Sequence, residues 1–278
     1  MPPILEVPIF SPAAATVAVD HGAARLEINR AGSYAAGGLT PTLAEVEAVA
    51  DAVSVPLRIM IRPRGPPADE ADFLYTDETF QQMRRELAAF VASGLLQSER
   101  GDGFVFGILK KDGITGQLGI DMDRNRQLVQ AAGPCVCIFH RAFDLVLGYT
   151  VTDSEQRPEK ALATIRECGF SGVLTAGGPG SHGAVDHAAT LQRLIAAADA
   201  AGAGDQYSSE IIVGGGVRSS NVGTLMEQVL TGKEAARNAV SFHSSCLVDS
   251  AAAVAIGAEG EGVSGVEVER IGHILALL

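Results

Sequence analysis

Six side chains in this sequence have the chemistry to move a proton or hold a charge: Glu6, Glu27, Arg62, His140, Asp144 and His243. Most interrupt or close a short apolar run, as in Leu5-Glu6-Val7, Leu26-Glu27-Ile28 and Ile61-Arg62-Pro63. A charge on an apolar strand is costly to bury unless it is paired. One such residue alone reads as a structural ion pair. Several at comparable positions predict a mixed cluster of carboxylates, guanidiniums and imidazoles at one end of the fold. Clusters of that kind gather perturbed pKa values. Glu6, Glu27, Asp144 or His140 would do acid–base work there.

A second set of residues suits binding. Gly214-Gly215-Gly216 precedes Arg218 and a helix start at Ser219, which offers free backbone N–H groups and a positive helix end to an anion. Arg62, Arg64 and Arg218 would grip that anion in planar forks. Thr175-Ala176-Gly177-Gly178 is a second Gly-rich turn. Asn29, Arg141 and Ser244 complete the candidate ligand contacts. The plain alternative for the glycine runs is a tight turn with no ligand. No Gly-x-Ser-x-Gly elbow, HExxH or Walker A loop is present. Lys110 lies near a strand end, but Lys111 follows and Asp112-Gly113 reads as an exposed turn. His21, His182 and His187 read as solvated.

These residues need elements to hold them together. Short apolar runs at 3–7, 24–28, 56–62, 104–109, 135–140, 172–175, 210–213 and 239–243 predict eight strands. Helical patterns follow each at 11–21, 41–53, 77–93, 121–132, 158–168, 185–201, 219–230 and 265–277. Ser11 is the expected cap of the first helix, with Pro12 at its first position, and Thr40 that of the second. Eight βα units predict an α/β fold, a TIM-type (β/α)₈ barrel forming a single domain over 1–278. An open doubly wound sheet uses the same units and is the main rival. In a closed barrel, the functional residues stand at the C-terminal strand ends. Polar stretches at 97–102, 149–157, 202–209 and 232–238 read as surface excursions, and 251–262 as a loop with some local helix.

The bulk composition narrows the function. Of 278 residues, 47 % are hydrophobic, and the net charge is −12. That charge opposes a nucleic-acid or anionic-membrane partner, both of which need clustered Lys and Arg. It leaves room for a small anionic ligand in a local basic pocket. The chain has no Trp and 5 % aromatic residues, so a base-stacking platform is not expected. No apolar run of about 20 residues marks a membrane span. The start of the chain lacks a basic region before its first apolar stretch, so no secretory signal is expected. Cys135, Cys137, Cys168 and Cys246 do not have zinc-site spacing and read as small buried hydrophobes of a cytoplasmic protein.

Several segments together resemble the CutC copper homeostasis family. They are Leu5-Glu6-Val7, Arg25-Leu26-Glu27-Ile28, Gly37-Gly38-Leu39-Thr40-Pro41, Ile61-Arg62-Pro63-Arg64-Gly65, Phe73 to Asp77, Phe139-His140-Arg141-Ala142-Phe143-Asp144, Leu174-Thr175, Gly215-Gly216-Val217-Arg218 and His243-Ser244-Ser245. They occur in family order over nearly the whole chain to about residue 246, and the residues after about 250 diverge. The resemblance implies a TIM-like barrel, a cytoplasmic homo-oligomer and a copper-related role. Copper(I) prefers thiolate and thioether ligands. Family members often carry Cys just after the first Leu-Glu-Val and at the end of strand two. Here those positions hold Pro8-Ile9 and Asn29. Cys246 beside His243 is the remaining thiol candidate for a metal at the mouth. Two functions are therefore expected to compete: copper handling, and an enzyme (lyase, isomerase or hydrolase) acting on a small anionic metabolite.

Overall fold

The computed structural model describes residues 2–148, 157–179, 183–202, 209–231, 239–247 and 262–277. The expected excursions at 149–157, 202–209 and 232–238, the loop at 251–262 and His182 fall wholly or largely outside them.

Ten strands are β1 (Ile4–Ile9), β2 (Arg25–Ile28), β3 (Leu57–Met60), β4 (Gly103–Phe106), β5 (Leu109–Lys111), β6 (Leu118–Ile120), β7 (Val136–Phe139), β8 (Gly172–Thr175), β9 (Glu210–Val213) and β10 (Val240–His243). Eight close into a parallel barrel in the order β1-β10-β9-β8-β7-β4-β3-β2. The remaining two, β5 and β6, form a separate antiparallel hairpin. Around the barrel run α1 (Pro12–Asp20), α2 (Leu43–Ala52), α3 (Asp77–Ser93), α4 (Met122–Ala131), α5 (Ala142–Leu147), α6 (Arg157–Glu167), α7 (Ala188–Gly202), α8 (Val222–Leu230) and α9 (Gly265–Leu277). The closed barrel rules out the open sheet.

Strand alternation builds two separate interiors. Leu5, Val7, Leu26, Ile28, Ile59, Ile211 and Phe242 face outward into the main core beneath the helices. Met60, Val105, Ile138, Leu174 and Ile212 form a small apolar cluster of their own inside the barrel. Their strands, β3, β4, β7, β8 and β9, supply that apolar filling. On β1, β2 and β10 the residues alternating with outward-facing Leu5, Leu26 and Phe242 are Glu6, Arg25, Glu27, Ser241 and His243. All of these but His243 are buried. The barrel interior thus sets a small apolar cluster beside a charged network that also draws in Glu210 of β9.

Three local expectations are corrected. Thr40 does not cap the second helix. It is buried, and its hydroxyl accepts the Arg62 N–H at 2.9 Å. The cap is Thr42, in a reciprocal capping box with Glu45. The fourth strand ends at Phe106, because the chain leaves the barrel there and turns into the β5–β6 hairpin, carrying Lys110 to an exposed position. A short helix, α5, follows β7 where none was expected, and it delivers Asp144 to the barrel mouth.

Candidate functional site

The register fixes the floor of the site. Glu6 sits level with Arg25 on β2 and with His243 on β10. Glu6 Oε2 accepts from Arg25 Nε at 2.5 Å and Glu6 Oε1 meets His243 Nδ1 at 2.7 Å. Arg25 continues the network to Glu210 and Ser241 at 2.8 and 3.0 Å. Burial alone would raise the Glu6 pKa, but Arg25 and His243 hold it down at about 2. An ionised Glu6 accepts a hydrogen bond from His243 Nδ1–H, which leaves Nε2 as the ring atom turned to the cavity. Burial opposes a charge on His243, yet Glu6 and Glu27 outweigh it and push the pKa above the ordinary value.

Glu27 lies above this floor. Its Oε1 accepts from Asn29 Nδ2 at 3.1 Å, while Oε2 is buried without a partner among the described residues. Burial raises its pKa, only partly countered by His243. Gly38 shapes this corner: at φ +84°, a Cβ there would stand 2.1 Å from Asn29 Oδ1.

His140 is tuned the other way. Burial, followed by the nearby Arg62 charge, lowers its pKa to about 3. Its ring is neutral at physiological pH. The Ala142 N–H points at Nδ1 from 3.3 Å, which places the ring proton on Nε2. Nε2 is buried and has no partner among the described residues. Phe73 packs on the imidazole with centroids 4.5 Å apart, and the Arg62 guanidinium lies 5.1 Å over the same Phe73 ring. Phe73 holds φ +66°, a strained value for a bulky residue of the kind that clusters at functional sites.

Two adjoining cavities open among these groups. One, about 240 Å³, is lined by Asn29, Arg141, Gly215, Gly216, Arg218 and Ser244, among others. The second, about 250 Å³, is lined by Met60, Arg62, Phe73, His140 and Leu174. Glu27, Gly37, Arg141 and His243 border both. The fold therefore brings ten of the expected residues to one mouth: Glu27, Asn29, Arg62, His140, Arg141, Gly215, Gly216, Arg218, His243 and Ser244.

The other expected residues stand behind or away from it. Glu6 lies under the floor. Asp144 is buried with both oxygens engaged, by Thr175 Oγ1 at 2.5 Å, Ala176 N–H at 3.1 Å and Arg141 Nε at 2.8 Å. Burial raises its pKa against those bonds. Its position suits it to holding Arg141 rather than to meeting a ligand. The Thr175 hydroxyl also accepts the Gly177 N–H at 2.8 Å, so both residues buttress the same loop. Arg64 turns to the Gly65 and Leu74 carbonyls and to the Tyr75 ring, outside both cavities. Cys246 is buried and lines neither cavity; burial lifts its thiol to about 11.

Sequence reading assigned no site role to Arg25, Glu210 or Phe73. The two-residue period of Arg25-Leu26-Glu27 was the available signal, since it puts Arg25 on the face of Glu27. Nothing in the local pattern marked Phe73.

Among the described residues, Glu6, Glu27 and His243 form the one group with metal-ligating atoms mutually within 4.8 Å. Carboxylate and imidazole donors suit a divalent ion and not copper(I), which prefers thiolates. Both Glu6 oxygens are engaged already, so an ion would have to displace His243 or Arg25. None of the four cysteines joins a group of three or more ligating side chains among the described residues, so no thiolate cluster is present to receive copper(I). The residues present do not fit a copper(I) site.

Comparison with known proteins agrees on family and fold. The CutC family model matches residues 3–240. A CutC family protein of Chromobacterium violaceum is 32 % identical over 271 residues, covering 96 % of this chain and 91 % of the relative. One from Klebsiella pneumoniae is 32 % identical over 224 residues, covering 81 % and 76 %. The solved structure of a candidate copper homeostasis protein CutC from Streptococcus agalactiae superposes with a TM-score of 0.66 at 21 % identity, covering 87 % of this chain and 98 % of that one. Phosphoribosyl anthranilate isomerase from Pyrococcus furiosus superposes with a TM-score of 0.55 at 11 % identity, covering 99 % of each chain, which is a likeness of fold alone.

Proposed function

The chain belongs to the CutC family, and from the chemistry of its barrel mouth we propose that it is an acid–base enzyme acting on a small anionic metabolite. One observation carries this reading. Glu27 Oε2 and His140 Nε2 are both buried, both lack a hydrogen-bond partner among the described residues, and both belong to residues lining the same cavity. An orphaned buried polar atom costs roughly 1–3 kcal/mol. A ligand that hydrogen-bonds to both would remove that cost.

The roles follow from the environments. Glu27, with its pKa raised, exchanges a proton with the bound molecule. Neutral His140 donates Nε2–H to an oxygen that gains negative charge. His243, backed by the ionised Glu6, is a second proton-transfer group across the cavity. Phe73, Met60 and Leu174 keep water from this end, which strengthens every electrostatic contact inside it. The arrangement suits isomerisation or elimination, in which a proton leaves one atom and returns to another.

Copper handling is the reading suggested by the relatives' name. It is supported by family membership, and opposed for direct copper(I) binding by the donor set. The four cysteines are free, in keeping with a reducing compartment and so with a cytoplasmic protein. No helix among the described residues is long and apolar enough to cross a membrane. Family resemblance also supports a homo-oligomer.

Two measurements test these readings. The protein would be incubated in D₂O with a panel of small phosphorylated and carboxylated carbonyl compounds, and loss of C–H signals followed by NMR. Exchange by the wild type and none by Glu27→Gln is expected; equal exchange by both would remove Glu27 from the chemistry. A copper(I) titration against a competing chelator, repeated on Cys246→Ser, is expected to give no competition in either protein. Tight stoichiometric binding lost in the variant would restore the copper reading.

A further inference from the structure

We propose that the mouth is bipartite, with the Arg141–Arg218 cavity holding the phosphate of a small phosphomonoester and the Phe73–His140 cavity holding its reacting carbonyl or hydroxyl end. The second half rests on the acid–base reading above; the first half stands on its own geometry.

The two cavities differ in chemistry. The Phe73–His140 side is walled by Met60, Phe73 and Leu174, with Glu27 and His140 offering the orphaned polar atoms. The other side presents donors. Arg141 spends Nε on Asp144, and its two terminal amino groups have no partner among the described residues. Arg218 uses Nη1 on the Val217 carbonyl at 2.8 Å and keeps its remaining groups free of partners among those residues. The backbone N–H groups of Gly215, Gly216 and Ser245 donate to no acceptor among the described residues. All five residues line the one cavity, and among the described residues its only carboxylate is Glu27, at the border with the other side.

These donors come from three places in the chain: after β7, after β9 and after β10. A planar carboxylate is filled by one fork of two N–H groups. Two guanidiniums and three amides converging on one cavity match a tetrahedral dianion with three outer oxygens. Gly215 is required for this shape. It holds φ +92°, and a Cβ there would stand 2.8 Å from Ala176 Cβ and 3.4 Å from the Arg141 guanidinium. Each cavity, at about 240 and 250 Å³, falls below the ~300–1,000 Å³ of ordinary ligand sites, whereas the pair joined across Glu27 and His243 falls within it. An occupant must therefore reach both, with its anionic end among the arginines and its reacting end against Glu27 and His140.

The test uses inorganic phosphate and acetate as probes, with binding followed by calorimetry on the full chain. Phosphate is expected to bind at least tenfold more tightly than acetate. Arg218→Ala and Arg141→Ala are each expected to weaken phosphate at least tenfold, Arg218→Lys less than Arg218→Ala, and Glu27→Gln less than twofold. Circular dichroism melts confirm that each variant folds, and Arg218→Lys carries the test if Arg218→Ala does not. Equal affinity for the two probes, or phosphate affinity untouched by the arginine substitutions, overturns the phosphate subsite. If the His140 ring nonetheless titrates near pH 3, the acid–base reading stands while the subsite falls. Arginine-dependent phosphate binding with His140 titrating at its ordinary value supports the subsite and removes the reacting end.

Discussion

His140→Asn isolates one buried imidazole through its effect on acid stability. The His140 pKa falls from an ordinary 6.5 to about 3 on folding, because burial and the Arg62 charge exclude the imidazolium. Between those values the unfolded chain binds a proton that the folded chain refuses. Stability is therefore lost as pH falls below 6.5, and the loss saturates below pH 3. Each unit of difference is worth about 1.4 kcal/mol. This one residue then costs the fold about 2 kcal/mol at pH 5, about 3 kcal/mol at pH 4, and about 5 kcal/mol at the limit. Asparagine cannot charge, and its Oδ1 can still accept the Ala142 N–H. The lost ring packing against Phe73 and Phe139 destabilises the variant by a similar amount at every pH. Urea denaturation of both proteins at pH 7 and pH 5 separates the two effects. The stability gap between wild type and variant should narrow by about 2 kcal/mol on going to pH 5. An unchanged gap, or a His140 ring resonance titrating near pH 6.5, would refute the buried neutral imidazole and with it the donor role.

Two further substitutions probe the floor and the loop. Glu6→Gln leaves Arg25 and His243 facing a neutral amide, and should destabilise the fold by about 3–5 kcal/mol, the usual effect of breaking a buried pair. It should also lower the His243 pKa; an unmoved His243 titration by NMR would show that Glu6 does not tune it. Gly215→Ala forces a side chain into the left-handed region against Ala176 and Arg141, and should cost about 1–3 kcal/mol in urea melts while also weakening phosphate binding. A variant as stable as the wild type would mean that the loop is not held in this conformation.

Much of this molecule was legible along the chain. The eight apolar runs, each followed by a helical pattern, pointed to a parallel α/β barrel, and the closed strand order then removed the open-sheet rival. The α3 bounds, and Ser11 with Pro12 at the start of α1, could be read directly, because helix periodicity and caps are local signals. The strand-end rule then gathered Glu27, Asn29, Arg62, His140, Arg141, Arg218, His243 and Ser244 without coordinates. The capping box at Thr42, two residues past the expected Thr40, was also in the sequence. Only the tertiary structure shows that Thr40 pairs with the Arg62 backbone instead. What tertiary structure alone decided was the division of labour. Glu6, Glu27 and Asp144 are the same chemistry on paper. The barrel register sets Glu6 against Arg25 and keeps it ionised, leaves one Glu27 oxygen alone in a cavity, and surrounds Asp144 with donors. Those differences arise from neighbours such as Arg25, Asn29 and Thr175, brought together by closure of the sheet. Desolvation and Coulomb interactions depend on such distances through space, and spacing along the chain does not encode them.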